Sequence, residues 1–311
     1  MILLTGGAGF IGSNILGALG RRGRDDVIVV DDLTDGAKCA NLSGRSFADY
    51  LDAEELLERC DELPALSGII HQGACVDTTV RDGKAVMRVN YTFSKRLLDI
   101  ARSHRCPFVY ASSAAIYGDG SGGFREEPAC ERARTPYAFS KWAFDEFVRR
   151  LGREASVPVV GLRYFNVYGP GEGHKGRMAS VAWHCFQAAR RGEAPKLFEG
   201  SDTFVRDFIS VDDVAEVNLY FLDEAAAGRD RSGIYNVGTG LPRSFGDMGR
   251  IVAEVTGSQP PVSIPFPDDL RGQYQAYTCA DIGRLRAAGW DRSFATLEEG
   301  IAAYWRSLQA S

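Results

Sequence analysis

The stretch "ILLTGGAGFIGSNIL" (2–16) puts a short apolar run, a turn of glycines and a helical pattern in direct succession. Within it Gly7, Gly9 and Gly12 take the spacing G-x-G-x-x-G, inside a run that also holds Gly6, Phe10 and Ile11. Missing side chains at such a turn let backbone amides approach a pyrophosphate at the positive end of the helix. The spacing alone also suits a plain strand-to-helix turn. A strand before it, a helix after it and a carboxylate closing the next strand make it a dinucleotide fingerprint. That carboxylate is Asp31, 19 residues beyond Gly12 and followed by Asp32, at the end of "VIVVDD" (27–32).

A chain that opens this way needs parallel strands with crossovers between them. The alternation continues: an acidic-apolar helix around 53–60, "GIIH" (68–71), a helix around 84–104, "PFVYASS" (107–113), a helix from 136 and "VPVVGLRYFNVYG" (157–169). The pattern reads as α/β, a doubly wound parallel sheet of the Rossmann type with helices on both faces. After 170 it loosens into Gly/Pro-rich turns, with strands near 204–209, 233–238 and 262–267 and helices from 211, around 244–256 and at 295–308. The expected division is a dinucleotide-binding domain of 1–168 plus about 208–240, and a smaller α/β substrate lobe of about 169–207 plus 241–311. A chain of 311 residues can bury a core of that extent.

Composition narrows the partners. The net charge of −5, without a block of like charges, supplies no basic stripe for a phosphate backbone, so nucleic acid is not an expected partner. Neither is a membrane: the opening "MILLTGG" has no basic leader, and no window nears the ~18 apolar residues of a span. The seven cysteines (39, 60, 75, 106, 130, 185, 279) are odd in number and form no C-x-x-C, which suggests reduced thiols, no metal site and a cytoplasmic setting.

The candidate chemistry sits on the fifth and sixth segments. "TPYAFSK" (135–141) offers Thr135 as N-cap, Pro136 at the first helical position, and Tyr137 and Lys141 four apart on one face. A tyrosine acting as base near neutral pH must fall about 3 units, roughly 4 kcal/mol of phenolate stabilisation. An adjacent ammonium, a helix N-terminus and an oxidised nicotinamide all push that way. Ser113, at the tip of "YASSAAIYG", would hydrogen-bond the substrate oxygen. Gln72, Gly73, Ala74 and Asn90 are expected to line the cofactor cleft. Asp31 would take the adenosine ribose hydroxyls and favour NAD, while Lys38 either offsets repulsion of a 2′-phosphate or is a solvated loop charge.

"TGGAGFIG", "YASSAAIYG", "YAFSK", "RYFNVYGP" and "RDFISVDDVA" (206–215) together resemble the extended short-chain dehydrogenase/reductase family, whose members modify nucleotide-diphosphate sugars. The resemblance implies Tyr137 as acid/base, Lys141 as its partner and ribose ligand, and Ser113 as support. "GEGHKGRMASV", "KLFEGSDTFVRDF" (196–208) and "GQYQAYTCADIGRLRAAGW" (272–290) resemble the family's ADP-heptose 6-epimerase branch, which supplies lipopolysaccharide inner-core heptose. That branch implies an isomerase with NADP, one per subunit, an ADP-heptose substrate and a homo-oligomer, a homopentamer. It also suggests Lys175 as a second acid/base; the other readings are a diphosphate ligand or an exposed loop lysine. Asn166, Phe198, Glu199, Gly200, Ser201 and Tyr274 match the family's substrate-contact segments. Arg177 and Arg206 are candidates for the diphosphate, since guanidinium forks match phosphate oxygens. His174 and His184 are either sugar or phosphate donors or structural histidines.

Dehydration of the sugar needs an acid/base pair just after the serine, where this chain has Ala114 and Ala115. A UDP-hexose 4-epimerase would use the same serine, tyrosine and lysine and no second base. A non-catalytic cofactor-binding protein is the reading from another class. One departure concerns the cofactor: relatives often carry a basic residue near position 53, and here "LDAEE" (51–55) is neutral or acidic.

Overall fold

In the computed structural model, which describes residues 1–76, 80–267 and 275–310, β1 (Ile2–Thr5) is buried along its whole length. It pairs in parallel with β2 (Val27–Asp31), Leu3 opposite Ile28, and with β4 (Gly68–His71), Leu3 opposite Ile69. Between β1 and β2 runs α1 (Phe10–Arg21). After β2 come the single turn α2 (Cys39–Leu42), the edge strand β3 (Asp49–Asp52) and α3 (Ala53–Glu58). Beyond β4 follow α4 (Gly83–Met87), α5 (Phe93–His104), β5 (Phe108–Ser113), α6 (Pro136–Leu151), β6 (Val159–Tyr164) and β7 (Asn166–Tyr168). The rest consists of α7 (Val181–Arg190), β8 (Lys196–Phe198), β9 (Val205–Arg206), β10 (Phe208–Ser210), α8 (Val211–Ala226), β11 (Gly233–Val237), β12 (Arg243–Ser244), α9 (Phe245–Thr256), β13 (Val262–Ile264), α10 (Gly283–Ala287) and α11 (Leu297–Ala310).

Among the described residues the large sheet has the order β11-β6-β5-β4-β1-β2-β3, parallel throughout. The expected doubly wound sheet is therefore present. Strands covered on both faces read as continuous apolar runs. One face is covered by α1 and α8, through Ile15, Leu16, Leu19, Leu219 and Leu222. The other carries α3, α5 and α6, through Leu56, Leu97, Leu98, Phe144 and Val148. Strand order reverses between β1 and β4, so a crevice opens beyond their carboxyl ends, where such sheets bind ligands. A separate core around Phe186, Met248, Ile301 and Tyr304 holds α7, α9 and α11 together on the far side of that crevice. Leu285 and Trp290, at and just after α10, pack instead against the β6–β11 end of the large sheet. No helix among the described residues is long and apolar enough to cross a membrane, and the seven cysteines are free thiols.

Two expected strands are each broken in two. At Phe165 the chain changes partner: the Phe165 amide bonds Val237, the last residue of β11, but the Asn166 amide bonds Asp207, and β7 pairs with β10. The expected 204–209 strand divides at Asp207 into β9, antiparallel to β12, and β10. The expected helix 84–104 is interrupted by a π turn at Arg88–Thr92.

Candidate active site

The glycine turn is shaped by contacts no side chain would survive. Gly6 has φ +68°, and a Cβ there would lie 2.5 Å from the Gly73 nitrogen; one on Gly12 would lie 2.1 Å from the Gly6 oxygen. The N-cap of α1 is Gly9, and no side chain caps it, so the helix's first amides face the crevice. Gly6, Gly9, Phe10, Ile11 and Gly12 line a cavity of about 640 Å³ there, while Gly7 packs towards Val29 instead. These residues fit a dinucleotide: bare amides for its diphosphate, a carboxylate for its ribose and a cleft of suitable volume.

Asp31 is buried and accepts from the Ala8 amide at 2.8 Å, the Asp32 amide at 2.8 Å and Lys38 Nζ at 3.0 Å. Lys38 donates a second bond to the Asp32 carbonyl at 2.7 Å. It is thus an ion-pair partner of Asp31 on the cavity wall, which removes the solvated-charge reading. Asp32 turns its carboxylate away to the hydroxyl and amide of Thr34, which hold it below the usual carboxylate range. Gln72, Gly73 and Ala74 also line the cavity. Asn90 does not; buried in the π turn, it holds both the amide and the carbonyl of Cys75, at 2.8 and 3.0 Å, and Ser140 Oγ at 3.0 Å. Its place is behind the loop after β4.

Ser113, Tyr137 and Lys141 meet on the same cavity wall. Thr135 caps α6 through the Ala138 amide at 3.1 Å, and Pro136 takes the first turn, which fixes where Tyr137 emerges. Burial dominates the electrostatics of this wall. Burial pushes the Tyr137 phenol up, and the Ser113 hydroxyl pulls it back. Lys141 gives its hydrogen bond to the Ala111 carbonyl at 2.8 Å, and burial lowers its ammonium to about 8 against the pull of Asp145. Desolvation is thus the largest influence on both the phenol and the ammonium. Asp145, one turn beyond Lys141, accepts from Tyr110 at 2.9 Å, Ser112 at 3.0 Å and Arg163 Nε at 2.9 Å. Arg163, wholly buried, continues to Glu131 at 2.6 Å. Sequence reading missed this network, although the i, i+4 spacing of Lys141 and Asp145 was visible.

The loop "GPGEGHKGRM" (169–178) closes the cavity from the other side. Asn14 Nδ2 donates to the Pro170 carbonyl at 2.8 Å, and Asn41 Nδ2 to the carbonyls of Ala8 and Gly171, each at 3.0 Å. The loop is thereby seated on the glycine turn itself. Lys175 lies half-buried with Nζ 3.9 Å from Glu172 Oε2 and 5.0 Å from the centre of the Phe10 ring. Burial pushes its amine down, opposed by Glu172. Lys175, His174, Arg177 and Asn166 all line the cavity. His174 is held by the Gly171 carbonyl at 3.1 Å and Asn41 at 3.3 Å, and burial lowers its pKa.

Other candidates stand elsewhere. His184 is exposed on α7. Phe198 packs on Phe266 with ring centres 5.4 Å apart, and Glu199, Gly200 and Ser201 form the turn after β8; none of the four borders the cavity. Arg206 is buried with its guanidinium 5.5 Å from the ring centre of Phe245, a cavity-lining residue, so it backs the wall without forming it. Tyr274 lies outside the described residues.

The chain is similar to solved nucleotide-sugar epimerases over nearly its whole length. An ADP-L-glycero-D-manno-heptose-6-epimerase from Helicobacter pylori is 31% identical, with a TM-score of 0.84 over 100% of this chain and 96% of that one. A Thermotoga maritima UDP-glucose 4-epimerase solved with UDP-glucose is 30% identical, with a TM-score of 0.82 over 99% of each chain. The Thermus thermophilus UDP-glucose 4-epimerase solved with NAD is also 30% identical, with a TM-score of 0.79 over 100% of this chain and 99% of that one. The family model described as "NAD dependent epimerase/dehydratase family" matches residues 2–238, from β1 through the glycine turn, Ser113, Tyr137, Lys141 and Lys175 to the end of β11. The chain belongs to the NAD dependent epimerase/dehydratase family.

Proposed function

We propose that the chain is a nucleotide-sugar epimerase that inverts C6 of an ADP-linked heptose, interconverting ADP-D-glycero-D-manno-heptose and ADP-L-glycero-D-manno-heptose. The observation that carries this reading is a pair of proton-handling side chains on one cavity: Tyr137 from α6 and Lys175 from the loop 169–178. Inverting a carbinol through a ketone requires the hydroxyl proton to be taken on one side and returned on the other. A bound nicotinamide supplies the acceptor and donor for the hydride. Tyr137, with Ser113 at its hydroxyl, handles the proton for one orientation of the sugar; Lys175, whose amine burial has lowered, handles it for the other. Arg177 is placed to take the diphosphate from the same wall.

The cofactor under this proposal is NADP. Lys38 pairs with Asp31, which offsets the repulsion that carboxylate would exert on a 2′-phosphate. Release of the cofactor carried by the purified protein and its identification by mass tests this half; NAD alone in the extract would overturn it.

A second reading, UDP-hexose 4-epimerisation, is supported by the two UDP-glucose 4-epimerases, which match this chain almost as well. That chemistry needs Ser113, Tyr137 and Lys141 but no second base. The experiment is proton NMR of ADP-D-glycero-D-manno-heptose with the protein in D₂O. Conversion to the L-glycero epimer with no deuterium at C6, abolished by Lys175→Met, supports the proposal. Turnover of UDP-glucose alone, retained in Lys175→Met, overturns it in favour of the second reading.

A further inference from the structure

We infer that Glu172 is the positioning residue for Lys175: a buried carboxylate that fixes the lysine's ammonium against the cavity wall. The inference rests on the epimerase reading for its kinetic consequence alone. Glu172 is 0% exposed, and four neutral donors hold it: the Gly169 amide at 3.3 Å, the Ser180 amide and hydroxyl, both at 2.6 Å, and the Tyr304 hydroxyl at 3.3 Å. Among the described residues the cation it faces is Lys175, at 3.9 Å. A nearby cation adds to what hydrogen bonds give a buried carboxylate, and removing that cation leaves the charge less well compensated. Lys175 is that cation, and it cannot leave the wall without that loss.

The same residue ties three elements to the lysine. Ser180 is the N-cap of α7, Tyr304 belongs to α11, and Gly169 directly follows β7. Gly176, at φ +54°, turns the chain back directly after Lys175. On its other side the ammonium meets the Phe10 ring, which belongs to the glycine turn. The groups facing it are therefore Glu172 and His174 from its own loop, the uncharged Phe10 from α1 and, through Glu172, the Tyr304 hydroxyl from α11; Arg177 lies further along the wall. Burial drives the amine towards the neutral form and Glu172 restores the charged one. The balance suits a group that must both accept and return a proton.

Acetylation by acetic anhydride at fixed pH reads this directly, because only the neutral amine reacts. Lys175 is followed by peptide mass, with exposed Lys196 as internal standard. In Glu172→Gln the carboxylate charge is gone, and Lys175 acetylates roughly tenfold faster. Glu172→Asp, a milder change that draws the charge back by one methylene, gives about threefold. Ser180→Ala loosens the loop but keeps the charge, and stays within about twofold of the parent. The limb of the kcat profile that belongs to Lys175 moves to lower pH in Glu172→Gln. Unchanged labelling in both Glu172 variants, or the same acceleration in Ser180→Ala, overturns the inference. Accelerated labelling in a protein that turns over no nucleotide sugar would leave Glu172 in this role and overturn the epimerase reading instead.

Discussion

Lys141 is 5% exposed, and its ammonium is satisfied by one carbonyl and the field of Asp145 rather than by water. That has a consequence for stability as well as for chemistry. A lysine whose pKa is lower folded than unfolded binds fewer protons in the native state between the two values, so stability rises with pH through that interval. Here it runs from about 8 to the ordinary lysine value near 10.4. Lys141→Met removes this titration. The difference in unfolding free energy, native chain minus variant, is predicted to grow between pH 8 and pH 10 by up to about 3 kcal/mol, measured by urea unfolding at matched cofactor saturation. A difference flat in pH would mean that the ammonium is not desolvated. At this scale the sequence marked Tyr137 and Lys141 by their helical spacing, Ser113 by its place at a strand's tip and Lys175 by resemblance, and all four line one cavity. The burial that pushes the Tyr137 phenol up was not visible there, because neighbours at helical spacing can be read in sequence and burial cannot. Glu172 and Asp145 went unseen for a related reason: a carboxylate between polar letters gives no sign that it is buried.

The elements around the site were legible where a run was uniform. β1, β2, β4 and β5 are continuous apolar strands, and α6 is announced by its cap and proline. β3 was missed because "DYLD" is a short edge strand with a carboxylate at each end. The breaks at Phe165 and Asp207 were missed because apolar residues resume directly after Asn166 and Asp207, and only the change of hydrogen-bond partner marks them. The π turn at 88–92 is a third case: its extra residue brings Asn90 inward, against a helical pattern that gave no hint of it. Asn90 was expected to line the cofactor cleft and instead braces the loop that borders the cavity. Asn90→Ala leaves the Cys75 amide and carbonyl without their partner, and is predicted to lower stability by about 2 kcal/mol in urea unfolding. Loosening of residues 72–74 should weaken cofactor binding several-fold in a fluorescence titration. A loss of stability with unchanged affinity would confine Asn90 to structural support.

At the scale of the molecule, the cavity has walls from the large sheet and from the α7–α9–α11 core, so its shape depends on the seam between them. Asp207 lies on that seam, wholly buried, where β9 ends and β10 begins. Its carboxylate accepts from the amide and hydroxyl of Thr239, both at 2.7 Å, from the Gly240 amide at 2.9 Å and from the Ala280 amide at 2.8 Å. Its own amide donates to Thr278 at 3.0 Å, and its carbonyl accepts from Asn166, at the start of β7. One side chain thus gathers the segments after β11 and before α10 onto the strands that carry Asn166 and Phe208 to the cavity. These contacts join stretches remote in sequence, which is why no local pattern revealed them. Asp207→Asn is nearly isosteric but turns an amide donor towards at least one of those donors, and bonds to a charged acceptor are worth about 1.5–3 kcal/mol each. The variant is predicted to lose about 3 kcal/mol of unfolding free energy. It should also raise KM more than it lowers kcat, because the seam shapes the wall while Tyr137 and Lys141 stay anchored to the sheet. A variant that loses kcat with KM intact would mean that the seam reaches the reacting groups themselves.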